Sequence, residues 1–131
     1  MTESDVSWLH MLFAKRYASQ YDATTSENWF KNYVLKSPIL FYPARTQNAF
    51  CISLLSLVPW APNQIECNVV AVCADDGAMW ETARLLRASI DWARRRKALT
   101  WRICSETDHN LAALAKRVGA TEVWPRFVLR L

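Results

Sequence analysis

Residues 69–86, VVAVCADDGAMWETARLL, join a strongly apolar run to an amphipathic stretch through Asp75, Asp76, Gly77 and Ala78. A strand that feeds a helix N-terminus points unpaired N–H groups outward, and such an end is a ready-made anion site. The chemistry this turn could do is therefore to grip a phosphorylated ligand. Phosphate turns are usually rich in glycine and often carry a cation. This one has a single glycine, two carboxylates and, just inside the helix, Trp80. The aspartates also have a structural use, because acids in or just before a first turn complement the helix dipole and cap its N–H groups. On that reading the turn closes the helix with its own carboxylates in place of a ligand's phosphates.

Other reactive side chains are more dispersed. Cys51, Cys67, Cys73 and Cys104 fall in predicted strands, with no C-x-x-C pair, and His10 and His109 stand far apart. A zinc site needs clustered ligands, so no metal site is expected and the thiols read as small buried hydrophobes of a reducing, cytosolic setting. Cys67 and Cys73 are six residues apart, which on a regular strand places both on one face. Seven of the sixteen basic residues lie between Arg84 and Arg102, with Arg94, Arg95, Arg96 and Lys97 consecutive. That cluster, with Arg102, is either a nucleic-acid patch or the cationic end of a helix, where positive charge complements the dipole.

The elements that must position these groups follow from periodicity. Trp8, Leu9, Leu12, Phe13 and Tyr17 recur at helical spacing from Asp5 to about Gln20, with Ser4 or Asp5 available as a cap. A second helix is predicted over 26–35, capped by Ser26, with Trp29, Phe30, Tyr33 and Val34 as its apolar face and Pro38 beyond its end. Strands are predicted at 39–42, 49–58 and 65–74, the second ended by PWAPNQ with its two prolines. The third, IECNVVAVCA, is apolar throughout, as a central strand covered on both faces should be.

A long helix follows over 78–97, with Met79, Ala83, Leu86, Ile90 and Ala93 as one buried stripe and Arg87–Asp91 as an i,i+4 pair. LTWRICS (99–105) is the next strand. Asp108 then caps a helix closed by Gly119, and TEVWPRFVLRL is the last strand, with Pro125 marking an edge or bulge. The order α-α-β-β-β-α-β-α-β makes a mixed α/β (α+β) sheet with helices on its faces, in one domain spanning 1–131. A composition of 52% hydrophobic and 21% charged residues is globular, no apolar run is long enough to span a bilayer, and the acidic N-terminus is unlike a secretory signal.

That order resembles the GNAT fold of acetyl-CoA-dependent N-acyltransferases over nearly the whole chain, without the family's usual first strand. In the family an Arg-x-x-Gly-x-Gly/Ala loop follows the central strand and a Leu-Leu-like pair lies in the helix. Matching Val72 and Leu85-Leu86 to that pattern puts Gly77 at the arginine and Ala78, Trp80 and Thr82 at the glycine positions. AKRVGA (115–120) resembles the family's YEKLGF, with Ala115 at the tyrosine often used as general acid. The resemblance implies a cofactor loop that grips the CoA pyrophosphate through backbone N–H groups. It also implies that here Trp80 fills the cradle and Asp75 and Asp76 oppose the phosphates. Glu66, a cysteine or water is left to do the proton chemistry.

Seven tryptophans are many for a domain of this size, and Trp60, Trp80 and Trp124 are expected near the surface as interface anchors. Three functions follow. The first is a non-catalytic GNAT-like protein, without cofactor, that acts through contacts with other proteins of an assembly or with its own copies. It is similar in kind to the small GNAT-like virion and head-assembly proteins of short-tailed bacteriophages, which places it in host cytoplasm and virion and not in a membrane. The second is an acetyl-CoA-dependent N-acetyltransferase that contacts the cofactor through the backbone from Val72 to Thr82. The third is a nucleic-acid-associated protein using the basic cluster.

Overall fold

A 3-10 turn (Glu3–Asp5) leads into α1 (Val6–Tyr17), which buries Leu9 and Leu12 of the predicted stripe together with Val6, while Trp8 is half-buried. α2 (Ala23–Trp29) starts three residues earlier than expected, because Asp22 and not Ser26 is its cap: the Asp22 carboxylate accepts the Thr25 N–H at 2.9 Å. The helix continues as one π turn (Phe30–Val34), which buries Phe30 and Val34 and leaves Tyr33, expected on the apolar face, exposed. The computed structural model describes residues 1–17, 22–58, 60–103 and 109–120. The predicted last strand, with Trp124 and Pro125, and also Cys104 and Asp108, lie outside those residues.

Among the described residues four strands form one mixed sheet in the order β1-β2-β3-β4. β1 (Phe41–Arg45) and β2 (Ala49–Val58) are antiparallel, as are β2 and β3 (Ala61–Ala74). β4 (Thr100–Ile103) runs parallel to β3 after the crossover helix α3 (Met79–Arg95), and α4 (His109–Arg117) follows. Pro43 is tolerated because β1 bonds only to β2 among the described residues. PWAPNQ does not end the hairpin as a loop. Val58 pairs with Ala61, and β3 begins four residues before the predicted Ile65.

Each sheet face is covered by its own helices. On one, α1 and α2 pack Val6, Leu9, Leu12 and Phe30 against Phe50, Ile52 and Cys73. On the other, α3 and α4 pack Ala83, Leu86, Leu111 and Leu114 against Ala49, Cys51 and Val69. The two β3 cysteines are thus on opposite faces, contrary to the regular-strand expectation. Cys67 meets Trp92 and Ala93 of α3, whereas Cys73 joins the α1 side. The cause is a bulge: Ile52 pairs with Ala71 but Ser53 with Val69, leaving Val70 as an extra residue that flips the alternation. In α3 the buried stripe is wider than predicted and includes Thr82, Leu85, Ser89 and Trp92, while Met79 is exposed. Asp91 stands 3.6 Å from Arg94 and not beside Arg87. Gly119 takes the expected left-handed conformation, φ +97°, after α4.

A small polar network sits between sheet and α3. Ser53 and Ser89 share a 2.6 Å hydrogen bond, and the Trp101 indole N–H donates to Ser89 at 2.9 Å. Beside it, burial pushes the Cys51 thiol up to about 12 and the Cys67 thiol up to about 11. Both are therefore protonated at neutral pH and weakly nucleophilic. Iodoacetamide is expected to leave Cys51 and Cys67 unmodified in the native protein and to alkylate both in guanidinium. Mass mapping that found either one modified natively would contradict this packing.

Candidate functional site

The turn after β3 is tied down from both sides. The Asp75 N–H donates to Asn48 O at 2.8 Å, extending the β2–β3 pairing by one bond into the loop before β2. The Ala78 N–H returns to Asp75 O at 3.1 Å, and Gly77 supplies the positive φ (+77°) that this reversal needs. Ala78 is the N-cap of α3, and among the described residues no side chain caps the helix. This corrects the expectation that Asp75 and Asp76 close it. They are held by Lys15 of α1, whose ammonium lies 2.7 Å from Asp75 and 3.8 Å from Asp76. The hydrogen bond from Lys15 to Asp75 and the two negative charges raise the lysine's pKa. Glu81, in the first helical turn, is engaged by Asn48 at 3.0 Å, and hydrogen bonds from Asn48 and Thr46 lower its pKa.

The consequence is an open helix end. Among the described residues, no group accepts the N–H of Met79, Trp80 or Glu81. A Cβ built on Gly77 meets nothing within 4 Å, so the space before these amides is clear on that side. Thr82 is buried and turned back into the helix, donating its hydroxyl to Ala78 O at 2.8 Å. Trp80 does not fill the cradle. It is 65% exposed, and the Arg117 guanidinium of α4 lies 4.7 Å from its ring centre. Val72 is half-buried and packs on the α3 side of the sheet.

β3 and β4 pair from Glu66–Thr100 to Val69–Ile103, and the bulge at Val70 follows at once. β3 then runs on to Ala74, past its last described partner on β4. In open sheets, ligands bind outside the carboxyl ends of parallel strands, beside the N-termini of the crossover helices. Here that position is the segment from Val70 to Ala78.

Solved structures share this fold. A putative acetyltransferase from Agrobacterium tumefaciens superposes with a TM-score of 0.79 at 14% identity, covering 100% of this chain and 96% of that one. A ribosomal-protein-alanine N-acetyltransferase from Brucella melitensis gives 0.74 at 15% identity, covering 100% and 95%. A transcriptional regulator from Bacillus halodurans gives 0.80 at 11%, covering 100% and 96%. The chain has the GNAT fold. No protein-family model and no curated protein matches the sequence.

Within the GNAT frame the predicted residues separate into three places. Gly77, Ala78, Trp80 and Thr82 do meet at the start of α3, with Val72 below them on β3. Glu66 lies four residues before the Val70 bulge, about 13 Å along the strand. It faces Arg102, whose Nε is 3.5 Å away, beside the Asn68–Ser56 hydrogen bond. Arg94, Arg95, Arg96 and Lys97 gather at the opposite end of α3, with Trp60 at the hairpin tip on that end of the sheet and 84% exposed. Arg102 is drawn to Glu66 and so serves a different surface. Lys15 and Asn48 were missed by sequence reasoning. Lys15 lies on a solvent-facing helix position sixty residues from Asp75, and no local pattern links the two.

Proposed function

We propose that the chain is an acetyl-CoA-dependent N-acetyltransferase that holds the cofactor's pyrophosphate at the start of α3. The observation that carries this is the uncapped helix end: Lys15 and Asn48 engage the carboxylates of Asp75, Asp76 and Glu81, and the amides of Met79, Trp80 and Glu81 are left for a ligand. The residues present fit the group. A small turn, Gly77-Ala78, precedes a helix dipole, with open space in front. The unfavourable term is the pair of aspartates, and Lys15 reduces it.

Acetyl-CoA supplies the acetyl group as an activated thioester, and an amine acceptor must lose a proton to take it. Glu66, oriented by Arg102, or a water is the base. Ala115, at the position of the family's tyrosine, is buried and offers no proton. A thiol with a pKa of about 8.5 is a good enough leaving group that loss of this acid slows the transfer without abolishing it.

A second reading rests on the exposed indoles of Trp60 and Trp80: a non-catalytic assembly component of the kind found in phage virions, binding proteins and no cofactor. Calorimetric titration with acetyl-CoA separates the two. Micromolar binding, followed by thiol release with an amine panel, supports the transferase. No heat at millimolar cofactor would overturn it and leave the assembly reading. Since Cys51 and Cys67 are buried and protonated, they contribute no background to the thiol assay.

A further inference from the structure

The sheet outruns its helix at the end away from the cofactor site. The last turn of α3 covers one row of side chains, Leu55, Cys67 and Trp101, which lie side by side on β2, β3 and β4. The next row outward is Leu57, Ile65 and Leu99: Leu57 pairs with Ile65, and the Leu99 N–H bonds Ile65 O at 2.8 Å. Among the described residues no helix extends over this row: the chain reverses after α3 at Lys97, whose φ is +62°. Across β2, Leu40 accepts the Leu55 N–H, which brings Ile39 and Leu40 to the same end. Ile39, Leu40, Leu57, Trp60 and Leu99 are five of the ten exposed large hydrophobics among the described residues, and all stand along this one rim. Across four strands the rim is about 14 Å wide.

Charge is concentrated at the same place. The segments that meet here, 35–41, 54–65 and 91–101, hold Lys36, Arg94, Arg95, Arg96 and Lys97 against only Asp91. That surplus equals the formal net charge of the whole chain, +4. Asp91 already faces Arg94 at 3.6 Å. Arg95, Arg96 and Lys97 are exposed, and Arg96 lies over the Trp92 ring.

From this juxtaposition we infer that the rim docks on an anionic bilayer surface, with Trp60 and its neighbouring aliphatic side chains entering the headgroup layer and the cations of α3 and Lys36 meeting lipid phosphates. Trp60 protrudes at 84% exposure, and a convex apolar tip suits a deformable surface that closes around it. Nucleic acid would use the cations, but it offers nothing to Ile39, Leu57 or Leu99. The interaction is peripheral, because among the described residues no helix is long and apolar enough to cross a membrane.

Flotation with phosphatidylcholine vesicles, with and without phosphatidylglycerol, tests this. Binding is expected to the anionic vesicles, about tenfold weaker to neutral ones, and to fall with salt. Trp60→Ala is expected to cut it about fivefold, and the double change Arg95→Glu with Lys97→Glu by more. These positions are exposed and lie at the end of α3 away from Gly77 and Ala78, so acetyl-CoA affinity stays unchanged, and failure here is separable from failure of the transferase reading. Absence of binding to anionic vesicles would overturn the inference. So would vesicle binding indifferent to Trp60→Ala, or tighter binding to duplex DNA that Trp60→Ala leaves intact.

Discussion

Phe50→Ala is expected to cost about 3–5 kcal/mol of folding stability, enough to lower the melting temperature by roughly 10 °C or more. Phe50 is fully buried on β2 and faces α1 and α2 among Ile52, Leu9 and Phe30. Its truncation leaves a cavity that β-strand neighbours cannot collapse into. It also ends an edge contact with Trp8, at 5.8 Å between ring centres. Trp8 in turn carries Arg45 over its ring at 3.5 Å, and Arg45 pairs with Asp5 at 2.6 Å. One side chain therefore underlies a stack that fastens the start of α1 to the end of β1. Trp60→Ala, at an exposed site, is expected to change stability by less than about 0.5 kcal/mol. Urea unfolding of the two variants measures the contrast; equal effects would contradict the assignment of core and surface.

Lys15→Met is expected to weaken acetyl-CoA binding about tenfold while leaving the melting temperature almost unchanged. The lysine is on the surface, so its ion pairs do little for the fold. Its effect is on the charge that an arriving pyrophosphate meets. With Lys15 present, Asp75 and Asp76 are turned to an ammonium. Without it they stand as two uncompensated anions beside the start of α3, free to take the helix amides themselves. Added salt is expected to narrow the difference between wild type and variant, because exposed charges are screened. Replacing both aspartates by asparagine in the Lys15→Met background is expected to restore binding. A variant that bound as tightly as wild type would show that the aspartates never mattered to the cofactor.

The parts of the fold that obey a local period were legible. β2 spans the 49–58 predicted from its apolar run, and Gly119 takes the left-handed position foreseen for it. The corrections share one cause, which is that the deciding partner lies far away in sequence. The Val70 bulge is set by register against β2, and from residue spacing alone Cys67 and Cys73 had to share a face. Asp75 and Asp76 looked like caps because local rules describe only the helix they precede, whereas α1 supplies the cation that claims them. Trp80 sat on a glycine position of the family pattern. Whether it filled or left the cradle depended on α4, where Arg117 gives the indole a partner outside. The expectation of a defaced cofactor loop rested on those residue types and not on where their side chains go.

The central claim is that the amides at the start of α3 receive the cofactor. Titrating isotope-labelled protein with acetyl-CoA and following backbone amide resonances tests it most directly. The largest shifts are expected on Gly77, Ala78, Met79, Trp80 and Glu81, with Trp60 and Leu99 at the far end unmoved. Resonances of that turn that stay still at millimolar acetyl-CoA, or move less than those elsewhere, would contradict it.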